Sequence, residues 1–135
     1  STRFADTHVN MGIGAGDGGQ VIWPFLIGVN RAKYYLMSGD KIGGKEAVEM
    51  GLASFIVPEN DQLLPRAIEI ASNLAAGAPL AVAASKLAVN AYLRSISATV
   101  FPLAARAQEE TMASTDHQEA IAAFQEKRAP HFTGK

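Results

Sequence analysis

The sequence contains no cysteine, which excludes a disulfide framework and a thiolate metal site. Charge is also scarce: Asp, Glu, Lys and Arg make up 19% of the 135 residues, beside an apolar fraction of 48%. So little charge implies that much of the surface is covered, either by a further part of the same fold or by partner subunits. Neither sign dominates. The net charge is −1, and the interleaved basic and acidic residues build no positive field of the kind that nucleic-acid binding needs. Long apolar runs are missing too. The stretch 74–84 contains glycine and proline and stops short of the roughly 20 residues that span a bilayer. Only three histidines are present, His8, His117 and His131, and they lack the short spacing of a zinc ligand set, so no metal is expected. Ser1-Thr2-Arg3-Phe4 has no apolar h-region, so a cytoplasmic protein is expected. No methionine opens the chain, and the reading is of a segment of something longer.

What is present is mostly helical periodicity. Residues 2–5 read as a short strand, and residues 12–19 place five glycines in eight positions, a loop. A short apolar helix is expected over 20–27, ended by Gly28. A second over 29–37 carries Val29, Ala32, Tyr35 and Leu36 on one face and ends at Gly39. Residues 40–44 read as a turn and 45–50 as a short helix closed by Gly51. Leu52 to Val57 read as a strand stopped by Pro58. A longer helix starts near Asp61, with Pro65 in its first turn and an inward stripe of Leu64, Ile68, Ala71 and Ala75. Pro79 opens the next, to about Leu93, with Leu80, Ala83, Leu87 and Ala91 inward. Ile96, Val100, Leu103 and Ala107 mark a third, with Pro102 near its start or kinking it. Asp116 with Glu119 has the spacing of a capping box for a last helix, whose apolar face is Ala120, Ile121 and Phe124. The tail 128–135 reads as irregular. Two short strands make no independent sheet, so the helices lack the sheet they should pack on.

The loop Gly14-Ala15-Gly16-Asp17-Gly18-Gly19 fits neither phosphate-loop pattern. It has no adjacent lysine, and Asp17 at its centre would repel a phosphate. Two readings stay open on the residues alone. One is close approach of backbone to a flat substrate group, with the following helix aiming free N–H groups at developing negative charge. The other is a tight turn that packs helices.

An ordered series of motifs narrows the choice. Phe4-Ala5-Asp6-Thr7-His8, the loop 12–19, Gly28 with Ala32, and Leu36-Met37-Ser38-Gly39-Asp40-Lys41-Ile42 come first. Glu46-Ala47, Met50-Gly51-Leu52-Ala53 and Val57-Pro58 follow. The series resembles the second half of the enoyl-CoA hydratase/isomerase (crotonase) superfamily. Ala78-Pro79 with Lys86, and Phe124-x-Glu126-Lys127-Arg128-x-Pro130-x-Phe132, continue the resemblance to the end of the chain. It implies an α/β fold, a crotonase-like ββα spiral core with only its C-terminal part present, followed by trimerisation helices. Residues 1–58 would belong to the core and residues 59–135 to a helical oligomerisation and CoA-contacting region. It further implies an acyl-CoA thioester as substrate, with coenzyme A as part of the substrate and no separate cofactor. A homotrimer or hexamer is implied, without nucleic-acid or membrane partners. The thioester oxygen would sit in an oxyanion hole of two backbone N–H groups. Those donors, and the first hydratase glutamate, belong to the family's N-terminal half, which the chain would need as a partner.

The resemblance places His8 where hydratases carry their second glutamate, with Thr7 in place of the usual proline. Histidine exchanges protons near neutral pH, so acid–base chemistry is retained as a reading beside a pocket-lining one. Asp17 is the other candidate for catalysis. It falls one residue after Gly16, the position at which dienoyl-CoA isomerases and chlorobenzoyl-CoA dehalogenases carry an aspartate. The alternative is a cap for the following helix. Gly14 stands where the family has a loop proline. Gly12 and Gly16 are the loop positions expected to approach the substrate, and Trp23 reads as acyl-pocket wall or core. Tyr34 and Tyr35 offer hydroxyls to a subunit contact. Lys127 and Phe132 match the lysine and aromatic that meet the phosphates and adenine of CoA. Three classes of function follow: an enzyme acting on a CoA thioester, a non-catalytic acyl-CoA binder, and a structural helical module.

Overall fold

A computed structural model describes residues 2–135. Strand β1 (Arg3–Phe4) leads into a 3-10 turn at His8–Met11. Helices α1 (Gly19–Ile27) and α2 (Val29–Ser38) follow, then β2 (Ile42–Gly43) and α3 (Gly44–Glu49). After an irregular stretch and a second 3-10 turn at Asn60–Gln62 come α4 (Leu63–Ala75), α5 (Pro79–Met112) and α6 (Thr115–Glu126). The two strands pair antiparallel, Arg3 with Gly43 and Phe4 with Ile42, and are the whole sheet among the described residues. This is the expected partial spiral core with its helical extension.

Helix ends fall where the punctuation puts them. Gly39 takes the left-handed conformation after α2 and donates its N–H to Tyr35 O. Gly51 has φ 88° just beyond α3, a conformation that a Cβ opposes.

The differences have physical causes. The turn expected over 40–44 contains β2, which exists only because β1, distant in sequence, pairs with it. The strand expected over 52–57 is absent: 52–54 bend, and 55–57 run without a ladder to β1 or β2. The two helices expected over 79–93 and 96–111 are a single α5, about 50 Å long at 1.5 Å per residue. Pro102 forgoes one hydrogen bond inside it without ending it.

The inward stripes of α4 and of the first half of α5 face solvent: Leu64, Ile68, Ala71, Ala75, Leu80, Ala83, Leu87 and Ala91 are all exposed, Leu80 at 87%. Their periodicity marks an apolar face, and no element of the described chain covers it. The core lies elsewhere, where α1, α2, α3, α5 and α6 close on small residues: Ala15, Ala32, Ala47, Ala104, Ala120 and Ala123, with Val21, Ile27 and Ile42. On α5 the buried residue is Ala104 rather than Leu103, and on α6 Ala120 is buried as expected but beside Ala123 rather than Phe124, which is 76% exposed. Among the described residues no single helix is long and apolar enough to cross a membrane.

Candidate functional site

The chain leaves β1 at Phe4 and turns at once. Asp6 Oδ1 accepts a 3.4 Å bond from the backbone N–H of His8, the local turn an aspartate makes with the residue two beyond it. The same carboxylate oxygen lies 2.7 Å from His8 Nδ1. A carboxylate can only accept, so Nδ1 carries the proton and donates it to Asp6. The ring's other nitrogen, Nε2, lies 3.4 Å from Asp17 Oδ2. The imidazole therefore sits between two carboxylates of different character. Asp6 is nearly buried, its side chain 9% exposed, whereas that of Asp17 is 61% exposed on the glycine loop. The carboxylates face opposite edges of the ring and do not converge. Among the described residues no three such side chains could hold one metal ion.

Three elements fix this cluster. The first is α1, whose initial residue Gly19 lies against Asp6; a Cβ there would come within 2.2 Å of Asp6 Oδ2. The partial positive charge of the α1 N-terminus also favours a carboxylate at that place.

The second is α5, to which the glycine loop is fastened. Gly14 donates its N–H to Thr111 Oγ1 at 2.9 Å, and Thr111 in turn donates to a carbonyl of its own helix, Ala107 O or Gln108 O. A proline at 14 would have no N–H for this bond. A Cβ on Gly16 would lie 2.3 Å from Ala104 O, so the loop touches the backbone of α5 there.

The third element is α6. Ser114 caps it by accepting from His117 N at 3.1 Å, and the His117 ring bonds Met11 O through Nδ1 at 2.8 Å. Gly12 takes a left-handed φ of 67° beside the backbone of Asp116 and His117. Asp116 and Glu119 are thus not a capping box. Asp116 accepts from Thr133 N and Gly134 N, and Glu119 from Arg128 and His131 N. Together they fold the tail back along α6. The bond from Arg128, then that from His131, holds the Glu119 carboxyl down at about 2. The backbone bonds from Thr133 and Gly134 hold Asp116 below its ordinary value.

Beside the loop, between α1, α2 and α5, an apolar cavity of about 1020 Å³ opens to solvent. Ile13, Ala15, Val21, Phe25, Met37 and Ile96 are among its walls, and Lys33 is its one basic residue. The ring of Phe25 meets that of Tyr92 at 5.6 Å across it.

The structure thus brings His8 and Asp17 together, and the alternative reading of Asp17 as a helix cap is not met: Gly18 is the N-cap of α1, and no side chain caps it. Gly12 borders the cavity and Gly16 is buried under α5. Trp23 points an edge at Tyr35, 6.4 Å away, and is not among the cavity walls. Tyr34 and Tyr35 spend their hydroxyls within the chain, on Asp40 and Glu46, each at 2.7 Å. Those carboxylates push both phenols up. Lys127 stands exposed at the C-terminal end of α6 with φ 55°, while Phe132 returns with the tail toward the other end. Neither lines the cavity. Sequence reasoning missed Asp6, Thr111 and His117. Only Asp6 left a trace, as an aspartate two residues before a histidine.

Comparison with known proteins extends over the whole chain. Residues 1–135 match the family model described as enoyl-CoA hydratase/isomerase. The chain is 35% identical over 134 residues to an enoyl-CoA isomerase/hydratase of Mycosarcoma maydis, covering 99% of this chain and 48% of that protein. It is 33% identical over 128 residues to a short-chain-enoyl-CoA hydratase of Clostridium acetobutylicum, covering 95% and 49%. Among solved structures, an enoyl-CoA hydratase/isomerase from Pseudoalteromonas atlantica superposes with a TM-score of 0.87 at 29% identity, over 98% of this chain and 53% of that one. A carnitinyl-CoA hydratase from Mycobacterium avium gives 0.90 at 25%, over 98% and 52%. The chain spans about half the length of the relatives it matches.

Proposed function

The chain belongs to the enoyl-CoA hydratase/isomerase family, and on that premise we propose that the protein it forms part of converts an acyl-CoA thioester by proton transfer at His8. The observation that carries this is the His8 imidazole, held through Nδ1 by Asp6 at 2.7 Å with Nε2 turned to the exposed Asp17 beside the glycine loop. Nε2 takes a proton from the carbon next to the thioester carbonyl. The electron pair left behind spreads onto the carbonyl oxygen as a dienolate, and the proton is returned at the γ carbon, which moves the double bond from the β,γ to the α,β position. Backbone N–H groups from the family's other half would stabilise the oxygen. An incoming substrate displaces Asp17 from Nε2. The apolar cavity suits an acyl chain, and Lys127 with Phe132 suits the CoA nucleotide.

In this reading residues 1–58 supply His8, Asp17 and the glycine loop, while residues 59–135 complete the cavity wall through α5, contact CoA and supply helices for a trimer or a pair of trimers. The exposed apolar faces of α4 and α5 support that arrangement.

The test is turnover of a series of enoyl-CoA esters by the purified full protein and its His8→Gln variant. Loss of at least about 100-fold in kcat is expected, the usual contribution of a positioned general base. Unchanged kcat in a folded His8→Gln protein refutes the catalytic role. Retained binding of CoA esters without turnover in the unaltered protein would instead support a non-catalytic binder, the reading that a histidine at a glutamate position favours.

A further inference from the structure

We infer that Asp6 is the positioning residue of this site: it fixes the tautomer and the orientation of His8, so that Nε2 is the nitrogen that exchanges protons. The inference rests on the reading of His8 as the proton-exchanging group and adds the residue that makes that reading chemically definite.

A neutral imidazole has one proton to place on two nitrogens, and its chemistry depends on which one holds it. A carboxylate at Nδ1 decides this, because it accepts and never donates. Asp6 is well placed to do so. It makes two bonds to the same residue, from the ring at 2.7 Å and from the backbone N–H at 3.4 Å, so ring and main chain are oriented together. Its side chain is 9% exposed, so water competes little for the carboxylate. It has no freedom to swing toward α1, since Gly19 leaves just the room its Oδ2 occupies.

Asp17 differs in each respect. It is exposed, it stands 3.4 Å from Nε2, and Gly16 and Gly18 flank it. It is the occupant of Nε2 that a substrate replaces, whereas Asp6 stays. One histidine therefore has a fixed partner on its inner edge and a replaceable one on its outer edge.

Long-range proton–nitrogen NMR of the ring nitrogens reads the tautomer directly. The experiment uses the full protein labelled with nitrogen-15 histidine, at a pH where the ring nitrogen shifts themselves show neutral imidazoles. His8→Gln assigns the signal. His117 is an internal control, because Met11 O accepts from its Nδ1 as well. The expected result is His8 with Nδ1 protonated in the unaltered protein. That state should be lost in Asp6→Ala and weakened in Gly19→Ala, which pushes the Asp6 carboxylate aside without changing either side chain of the pair. His117 should keep its Nδ1 proton in both variants, showing that the fold is intact.

His8 protonated at Nε2 in the unaltered protein, or still protonated at Nδ1 in both variants, overturns the inference. Turnover is read separately. If the tautomer follows Asp6 but His8→Gln leaves turnover intact, the proposed catalysis is wrong and the assignment of Asp6 to the imidazole stands.

Discussion

Replacing Gly16 by alanine inserts one methyl group where, after Gly19, a Cβ would meet its neighbours most closely among the glycines of the described chain. The new Cβ would lie 2.3 Å from Ala104 O, 2.6 Å from Gln108 Cβ and 2.8 Å from Ala104 C. Ordinary contacts begin near 3.4 Å, so roughly 1 Å must be recovered, and two of the three atoms are helix backbone that cannot rotate away. Either α5 moves off the loop or the loop moves off α5, and the Gly14 to Thr111 bond lies in the same seam. Overpacking of this kind costs about 1–3 kcal/mol, and the immobility of the neighbours places this case at the upper end. Urea unfolding followed by circular dichroism gives the value, as a lower midpoint at unchanged slope. Gly43→Ala is the control, because its Cβ meets nothing within 4 Å and its backbone is extended. That change should alter stability by less than about 0.5 kcal/mol, as surface substitutions do. A Gly16→Ala protein as stable as the Gly43→Ala protein would refute the close approach of loop and helix.

Thr111→Val removes the acceptor for Gly14 N while keeping the shape of the side chain, and should cost about 1–2 kcal/mol in the same unfolding assay. An unchanged midpoint would mean that the loop is not anchored there. Ser114→Ala removes the α6 cap and should cost about 1 kcal/mol; a loss below a few tenths would contradict the cap geometry. The tail should detach in acid. The folded value of Glu119 is lowered from 4.5 to about 2, so its contribution is complete above 4.5 and lost as pH falls toward 2. Asp116, lowered from 3.8, acts in the same direction. Amide exchange at His131, Thr133 and Gly134 should rise across that window; exchange that is fast already at neutral pH would refute the clamp.

The resemblance carried more of the fold than periodicity did, and the reason lies in which signals are local. Gly28, Gly39, Gly51 and Pro79 marked helix ends correctly, because a glycine or proline acts on its own backbone. The strand pair was half visible, since β2 needs a partner nearly forty residues away in sequence. Apolar stripes on α4 and α5 were real, but a stripe states that a face is apolar and not what covers it. Asp116 and Glu119 satisfied the spacing of a capping box and were used by the tail instead, because Ser114 already occupied the cap. At the site, His8 and Asp17 came from motif alignment. Asp6 did not, because its role depends on a ring turning back toward it and on the absence of a side chain at Gly19.

The helices of this chain meet mostly through alanine. An alanine surrenders no rotamer freedom when it is buried, so the interior is ordered at little entropic cost. It also has no side-chain torsions with which to absorb an error. Where a leucine core can yield by changing rotamers, Ala32, Ala47, Ala104 and Ala123 can only transmit a displacement through the main chain. The spacing of the helices, and with it the seat of the imidazole, is consequently a property of the backbone. Substitution in this interior should be tolerated in neither direction: a larger residue separates two helices, and a glycine loosens one.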